Sequence, residues 1–316
     1  MGSRLASLLI GAVTLCATLA YAAGTFVNVL TGPTSGAYYP LGVALASVIA
    51  ETMPGVKASV QATKGSFDNL NQLEAGKAEL AFTLGDALSD AWKGNEEAGF
   101  RQPLKNLRSV AALYPNYIHV VARADSGIRT LADLRGKTVS VGVLKSGIEL
   151  NARAVLHAAG FDYKDFAKVQ YLPFGESVEL MKNRQIDATL QSATLGASSL
   201  RDLASAVPIV FVPIPPDVVR KIREGGYTPA TIPADTYRDQ TADVATAAVQ
   251  NFLVTHEDVS TDVVYDITRT FWTHLDRLGA THAAAIAIDP QKAAQGMPIP
   301  LHPGAQKYYK EVGILK

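Results

Sequence analysis

The chain predicts an α/β protein of two lobes, each a mixed sheet flanked by helices, with two extended segments crossing between them. Three observations carry this. Short apolar runs of strand character alternate with runs of helical spacing along most of the sequence. One plan, in which a strand enters a small-residue loop that opens a helix, occurs near Gly32 and again near Gly147. Two longer β-rich stretches, Leu113 to Ala122 and Thr246 to Val254, have the character of crossings, the first marked by a bend at Pro115.

The first lobe opens with Phe26, Val27, Val29 and Leu30, an apolar strand that runs into Gly32-Pro33-Thr34-Ser35-Gly36. Beyond it Leu41, Leu45, Val48 and Ile49 repeat at helical spacing. Unpaired amides and the positive dipole end at such a helix start form a seat for a carboxylate or phosphate. Thr34, Ser35 and Gly36 are therefore expected ligand donors, with Tyr39 lining the same cleft. Gly55 to Gln61 reads as the next strand and leads through Thr63-Lys64-Gly65-Ser66 into a helix carrying Leu70 and Leu73. Ser66 and Asn69 stand in its first turn. Glu79 to Leu84 reads as a buried strand with Gly85 and Asp86 at its end.

The second lobe repeats the plan. Gly136 to Gly142 is a strand, Lys145-Ser146-Gly147 its loop, and Glu149 to Ala159 a helix. Val178 to Met181 is helical, and Ile186 to Leu190 is a strand ending near Gln191 and Ser192. Lys145, Ser146, Gly147, Gln191 and Ser192 are the expected counterparts across the cleft, with Lys145 the natural partner of an anion. Residues 207 to 240 hold eight Pro and Gly residues and read mostly as loop. Val259 to Leu278 reads as one core helix, and the tail from Met297, with Tyr308 and Tyr309, as a surface wrap. The expected domains are residues 1–22 as a signal, 23–116 with 255–316 as lobe I, and 117–254 as lobe II.

Composition sets the compartment. Lys and Arg number 29 against 29 Asp and Glu, so no basic field invites nucleic acid. Arg4, the apolar stretch Leu5 to Leu19, and Ala20-Tyr21-Ala22 match a secretory signal cleaved near Ala22, which places the mature chain in the periplasm. The single cysteine, Cys16, lies inside that segment, so the mature chain has neither disulfide nor cysteine metal site.

Enzyme chemistry finds little footing. Gly175-Glu176-Ser177-Val178-Glu179 lacks the closing glycine of a nucleophile elbow, and the six histidines show no metal spacing. The chain is expected to be no enzyme and to carry no cofactor and no metal.

Several stretches together resemble the TAXI proteins, solute receptors of tripartite TRAP transporters. They are Tyr38-Tyr39-Pro40-Leu41-Gly42, Ala62 to Asn69, Leu113-Tyr114-Pro115, Ile128 to Lys137, Glu149 to Arg153 and Ile299 to Ala305 with Tyr308-Tyr309. The resemblance implies a two-lobed, type II-like periplasmic binding protein, monomeric, that delivers a small organic anion or amino acid to a TRAP-type permease. A ligand-sensing accessory protein for a membrane sensor kinase is the alternative. Loop departures, among them Leu30-Thr31-Gly32-Pro33 where the family has Gly-Thr-Gly-Gly, argue against inheriting its ligand.

Overall fold

The computed structural model describes residues 24–222 and 225–316, and the expected signal lies outside the described residues. In chain order the first elements are β1 (Thr25–Leu30), α1 (Tyr38–Thr52), β2 (Val56–Gln61), α2 (Ser66–Glu74), β3 (Leu80–Leu84), α3 (Gly85–Lys93) and β4 (Leu107–Arg123). Next come β5 (Thr138–Ser140), α4 (Gly147–Ala158), β6 (Lys168–Gln170), α5 (Phe174–Lys182), β7 (Ala188–Ala193) and α6 (Ser198–Ala206). The chain continues with β8 (Ile209–Val212), α7 (Pro216–Val219), β9 (Tyr227–Ile232) and β10 (Val244–His256). It closes with α8 (Thr261–Thr273), α9 (Leu275–Thr281) and α10 (Pro303–Glu311).

The strands follow the order β2-β1-β3-β10-β4-β7-β5-β6, with β8 also on β4 and β9 also on β10. β1 runs parallel to β2 and β3, and β5 runs parallel to β6 and β7. β10 is antiparallel to β3 of the first set, β4 is antiparallel to β7 of the second, and the two are antiparallel to each other. Each side is thus a mixed sheet, as the sequence predicts. The two sides are one continuous ladder and not two sheets, because β4 and β10 are long enough, at 17 and 13 residues, to run through both. Their register slips between Gln250 and Phe252, and again between Leu253 and Val254. Bulges of this kind bend and twist a ladder locally.

Two main cores sit on the two sides. Val27, Leu45, Phe82, Tyr114 and Phe271 belong to one, under α1, α8 and α10. Ile118, Val139, Val155, Leu156 and Leu190 belong to the other, under α4. Phe82 is fully buried and stacks on Tyr38 with ring centroids 5.2 Å apart, so this core also fixes a side chain at the cleft.

Two expectations are corrected here, at Tyr309 and at His274, and the mostly-loop reading of residues 207–240 is refined by three short elements. Tyr309 is not on the surface: α10 buries it completely, its hydroxyl donates to the Val110 carbonyl at 2.8 Å, and it accepts from Trp272 Nε1 at 3.0 Å. The stretch 207–240 holds β8, α7 and β9, and β9 tolerates Pro229 because it pairs only with β10, at an edge. The helix expected over Val259 to Leu278 breaks at His274 into α8 and α9. Among the described residues no helix is long and apolar enough to cross a membrane.

Phe82→Ala should lower unfolding stability by about 3–5 kcal/mol, as a cavity replaces the ring. Chemical denaturation checks this; a loss under about 1 kcal/mol would show that Phe82 is not the packing centre assigned to it.

Candidate functional site

A cavity of about 80 Å³ lies between the two sides of the sheet, room for a compact solute the size of several waters. Its wall is built in an unusual way. Tyr38, Ser66, Gly147, Phe174 and Ser198 all line it, and each is the first residue of a helix, namely α1, α2, α4, α5 and α6. Two of these helices follow strands of the first side and three follow strands of the second. First-turn amides have no partner inside their own helix, and each helix adds the positive end of its dipole. Among the described residues that line the cavity none is a carboxylate.

Side chains complete the wall. Ser146 caps α4 by accepting from the Glu149 amide at 3.2 Å, and Ser66 accepts from the Leu84 amide at 3.1 Å. Asn116 Nδ2 donates to the Ser192 carbonyl at 3.0 Å, and Asn251 binds the Tyr38 hydroxyl while donating to the Tyr114 carbonyl at 2.7 Å. The crossing strands thereby hold the groups around the cavity. Two lining hydroxyls, Tyr114 OH and Ser192 Oγ, are sealed from solvent and have no hydrogen-bond partner. A buried hydroxyl left unpaired costs about 1–3 kcal/mol, a cost that a partner in the cavity would relieve. Burial raises the Tyr114 phenol well above its ordinary range, so it stands as a neutral donor.

The sequence-predicted residues divide between this cavity and other places. Ser35, Gly36, Ser66, Ser146, Gly147 and Ser192 line it. Thr34 is exposed on an outer groove beside α5. Tyr39 turns away, and its neighbour Tyr38 takes the place expected for it. Asn69 is spent on structure, donating to the carbonyls of Thr31 and Phe82 at 2.6 and 2.8 Å. Gly85 packs under Phe252, whose ring a Cβ would meet at 2.7 Å. Asp86 faces a separate groove lined by acidic residues. Lys145 is exposed in a left-handed conformation, its ammonium 5.9 Å from the Phe67 ring centre, and the lysine on the cavity wall is Lys64. Gln191 stands behind Ser192 and accepts from Ser199 Oγ at 2.9 Å. Tyr38, Tyr114, Asn116, Phe174 and His282 are lining residues that motif reading passed over. The alternation of Tyr114 and Asn116 about Pro115 was the available signal for two of them.

The family model of the NMT1-like family matches residues 29–313. This is a different family from the TAXI receptors, so the TAXI resemblance, and the TRAP-type permease with it, is corrected. Solved structures share the fold at low identity. PhnD1 from Prochlorococcus marinus, in complex with methylphosphonate, is 11% identical with a TM-score of 0.58, covering 92% of this chain and 99% of that one. XAC2383 from Xanthomonas citri, bound to ATP, is 12% identical with a TM-score of 0.52, covering 92% and 97%. A structure described as a periplasmic transporter is 12% identical with a TM-score of 0.55, covering 92% and 93%. These matches show the α/β periplasmic-binding-protein fold of two lobes.

The lobes touch at Gly147, where a Cβ would come within 2.5 Å of Ser66 Oγ and 2.8 Å of Leu84 Cδ1. Gly147→Val should therefore hold them apart, enlarging the radius of gyration in small-angle scattering while the chain stays folded by circular dichroism. A variant as compact as the parent would contradict this.

Proposed function

This chain belongs to the NMT1-like family, and from that premise we propose that it is a periplasmic receptor that closes on a small anionic solute. The observation that carries the reading is the convergence of five helix N-termini, from both lobes, on one cavity without a carboxylate. Amides and dipole ends favour an oxyanion head, carboxylate or phosphonate in class. An amino acid fits less well, because its ammonium finds no carboxylate on the wall. The site residues are Ser35, Gly36, Tyr38, Ser66, Tyr114, Ser146, Gly147 and Ser192, with Lys64 on the wall as the one lysine.

Closure follows from the fold. Solute contacts made with both lobes at once stabilise only the closed form, so the solute shifts the equilibrium toward it. We place the hinge in the crossing strands near Pro115 and Gln250, close to the expected boundaries of lobe I (23–116 and 255–316) and lobe II (117–254). The closed form then presents the solute to a membrane transporter, and the receptor transforms nothing.

A thermal-shift screen of phosphonates, sulfonates, dicarboxylates, 2-oxoacids, amino acids and neutral sugars tests this. At about 100 times its dissociation constant a true ligand adds roughly 2.7 kcal/mol, a rise of a few degrees. Tyr114→Phe and Ser192→Ala should each weaken the hit roughly 5- to 150-fold, the equivalent of one lost buried hydrogen bond. Hits only among neutral sugars, or a hit untouched by both variants, would sink the anion reading.

A further inference from the structure

Away from the cavity, a buried cluster of three side chains ties the lobes together. Asp86 opens α3 on the first side and is 2% exposed. Asn151, on α4 of the second side, donates through Nδ2 to Asp86 Oδ2 at 2.5 Å and to the Tyr227 hydroxyl at 2.7 Å. The Tyr227 hydroxyl, from β9, also donates to Asp86 Oδ2. The remaining oxygens, Asp86 Oδ1 and Asn151 Oδ1, are both sealed from solvent and meet no donor with full hydrogen-bond geometry, the Ala87 amide beside the Asp86 carboxyl being the nearest backbone donor.

Two unpaired acceptors on side chains already joined by one N–H···O bond have a simple resolution. A carboxylic acid and a primary amide pair through two bonds, the amide N–H to one carboxyl oxygen and the acid O–H to the amide oxygen. One added proton satisfies both atoms. A metal ion or an ammonium from the acidic groove beside Asp86 does not reach atoms with no accessible surface.

We propose that closure of the lobes takes up one proton, carried on Asp86 Oδ1 and donated to Asn151 Oδ1, so that the interlobe clasp is a neutral acid–amide pair. The inference rests on the two-lobed closing reading but not on the identity of the solute. The charged and titratable groups around Asp86 agree with it. Asp90 lies one turn along α3 and disfavours a second negative charge, and the Tyr38 and Tyr227 phenols are neutral neighbours. In the adjoining groove Arg153 is committed to Glu149 through two contacts of 2.7 Å, and Glu97, His157, Asp162, Tyr163 and Tyr171 are the other titratable groups on its wall. Burial, the largest influence, outweighs the Tyr227, Ala87 and Asn151 hydrogen bonds, which favour the carboxylate, and pushes the Asp86 carboxyl up to about 7.

The sign follows. In the open form Asp86 meets water and titrates near the ordinary carboxylate value of about 4. Between there and 7 closing binds a proton that opening releases, so the closed-to-open ratio falls as pH rises, by up to about tenfold per pH unit, and flattens above 7.

The test measures the interlobe distance by double electron–electron resonance on the full chain, without solute, from pH 5 to pH 9. Spin labels at Lys57→Cys and Lys168→Cys, exposed near opposite edges of the sheet, report it in a Cys16→Ser background. The parent should shift toward the open distance mainly below pH 7. Asp86→Asn, whose amide supplies both halves of the pair without titrating, should stay closed throughout. Asn151→Ala should be more open than the parent at every pH. Infrared difference spectra should show a protonated-carboxyl C=O band at pH 6 that Asp86→Asn removes, a readout that stands even if a variant folds poorly. Parent and Asp86→Asn moving together with pH, absence of the band, or opening controlled by sodium or an added amine at fixed pH would each overturn the proposal. None of these readouts uses a solute, so a failed ligand screen leaves them unchanged.

Discussion

The β4–β10 ladder is the constraint on which everything else rests. These two strands cross both lobes, and the sheet is continuous only because they do. The slips in their register fall near the middle of the crossing, beside Tyr114, Asn116 and Asn251. There the strands do two things at once. They supply groups to the cavity wall, and they hold neighbouring groups, Tyr38 through Asn251 and Ser192 through Asn116. Bending at this place would alter the cavity directly, which couples shape to occupancy without a separate relay.

The electrostatics of the cavity come largely from backbone, with Lys64 the one lysine on its wall. A neutral protein with 29 basic and 29 acidic residues has no long-range field to draw an anion. Aligned helix ends provide a short-range one, strongest where water is excluded. Recognition by amides and hydroxyls also discriminates sharply, because a solute that leaves Tyr114 or Ser192 unpaired forfeits the full cost of a buried polar group. The clasp at Asp86 follows the same logic from the other direction. Burial makes the Asp86 carboxyl hold its proton more tightly than in water, against the pull of the Tyr227, Ala87 and Asn151 donors.

The sequence made the general plan legible and blurred the details, for identifiable reasons. Alternating strands and helices, the small-residue turns at Gly36, Gly65 and Gly147, and the crossings at Leu113–Ala122 and Thr246–Val254 were all readable, since each depends on local chemistry. Tyr39 in place of Tyr38 was a one-residue error in helical phase. Lys145 looked like the anion's partner because charge is visible in a sequence, whereas its left-handed backbone, which leaves the side chain outside, is not. Tyr114, Asn116 and Asp86 take their roles from residues far along the chain, and no local pattern announces such contacts. The TAXI resemblance drew on turns and helix starts that any two-lobed binder of this fold needs at its cleft. It therefore spoke to the fold and not to the family.

The central claim is that one small anion is held between the lobes by groups from both. Native mass spectrometry of the protein purified from its source cells, followed by denaturation and negative-ion analysis of what is released, tests it most directly. The account predicts a single small anionic species released in about one copy per chain, and a protein that Tyr114→Phe and Ser192→Ala together leave empty. A released species that is neutral or cationic, or an anion retained unchanged by the double variant, would contradict it.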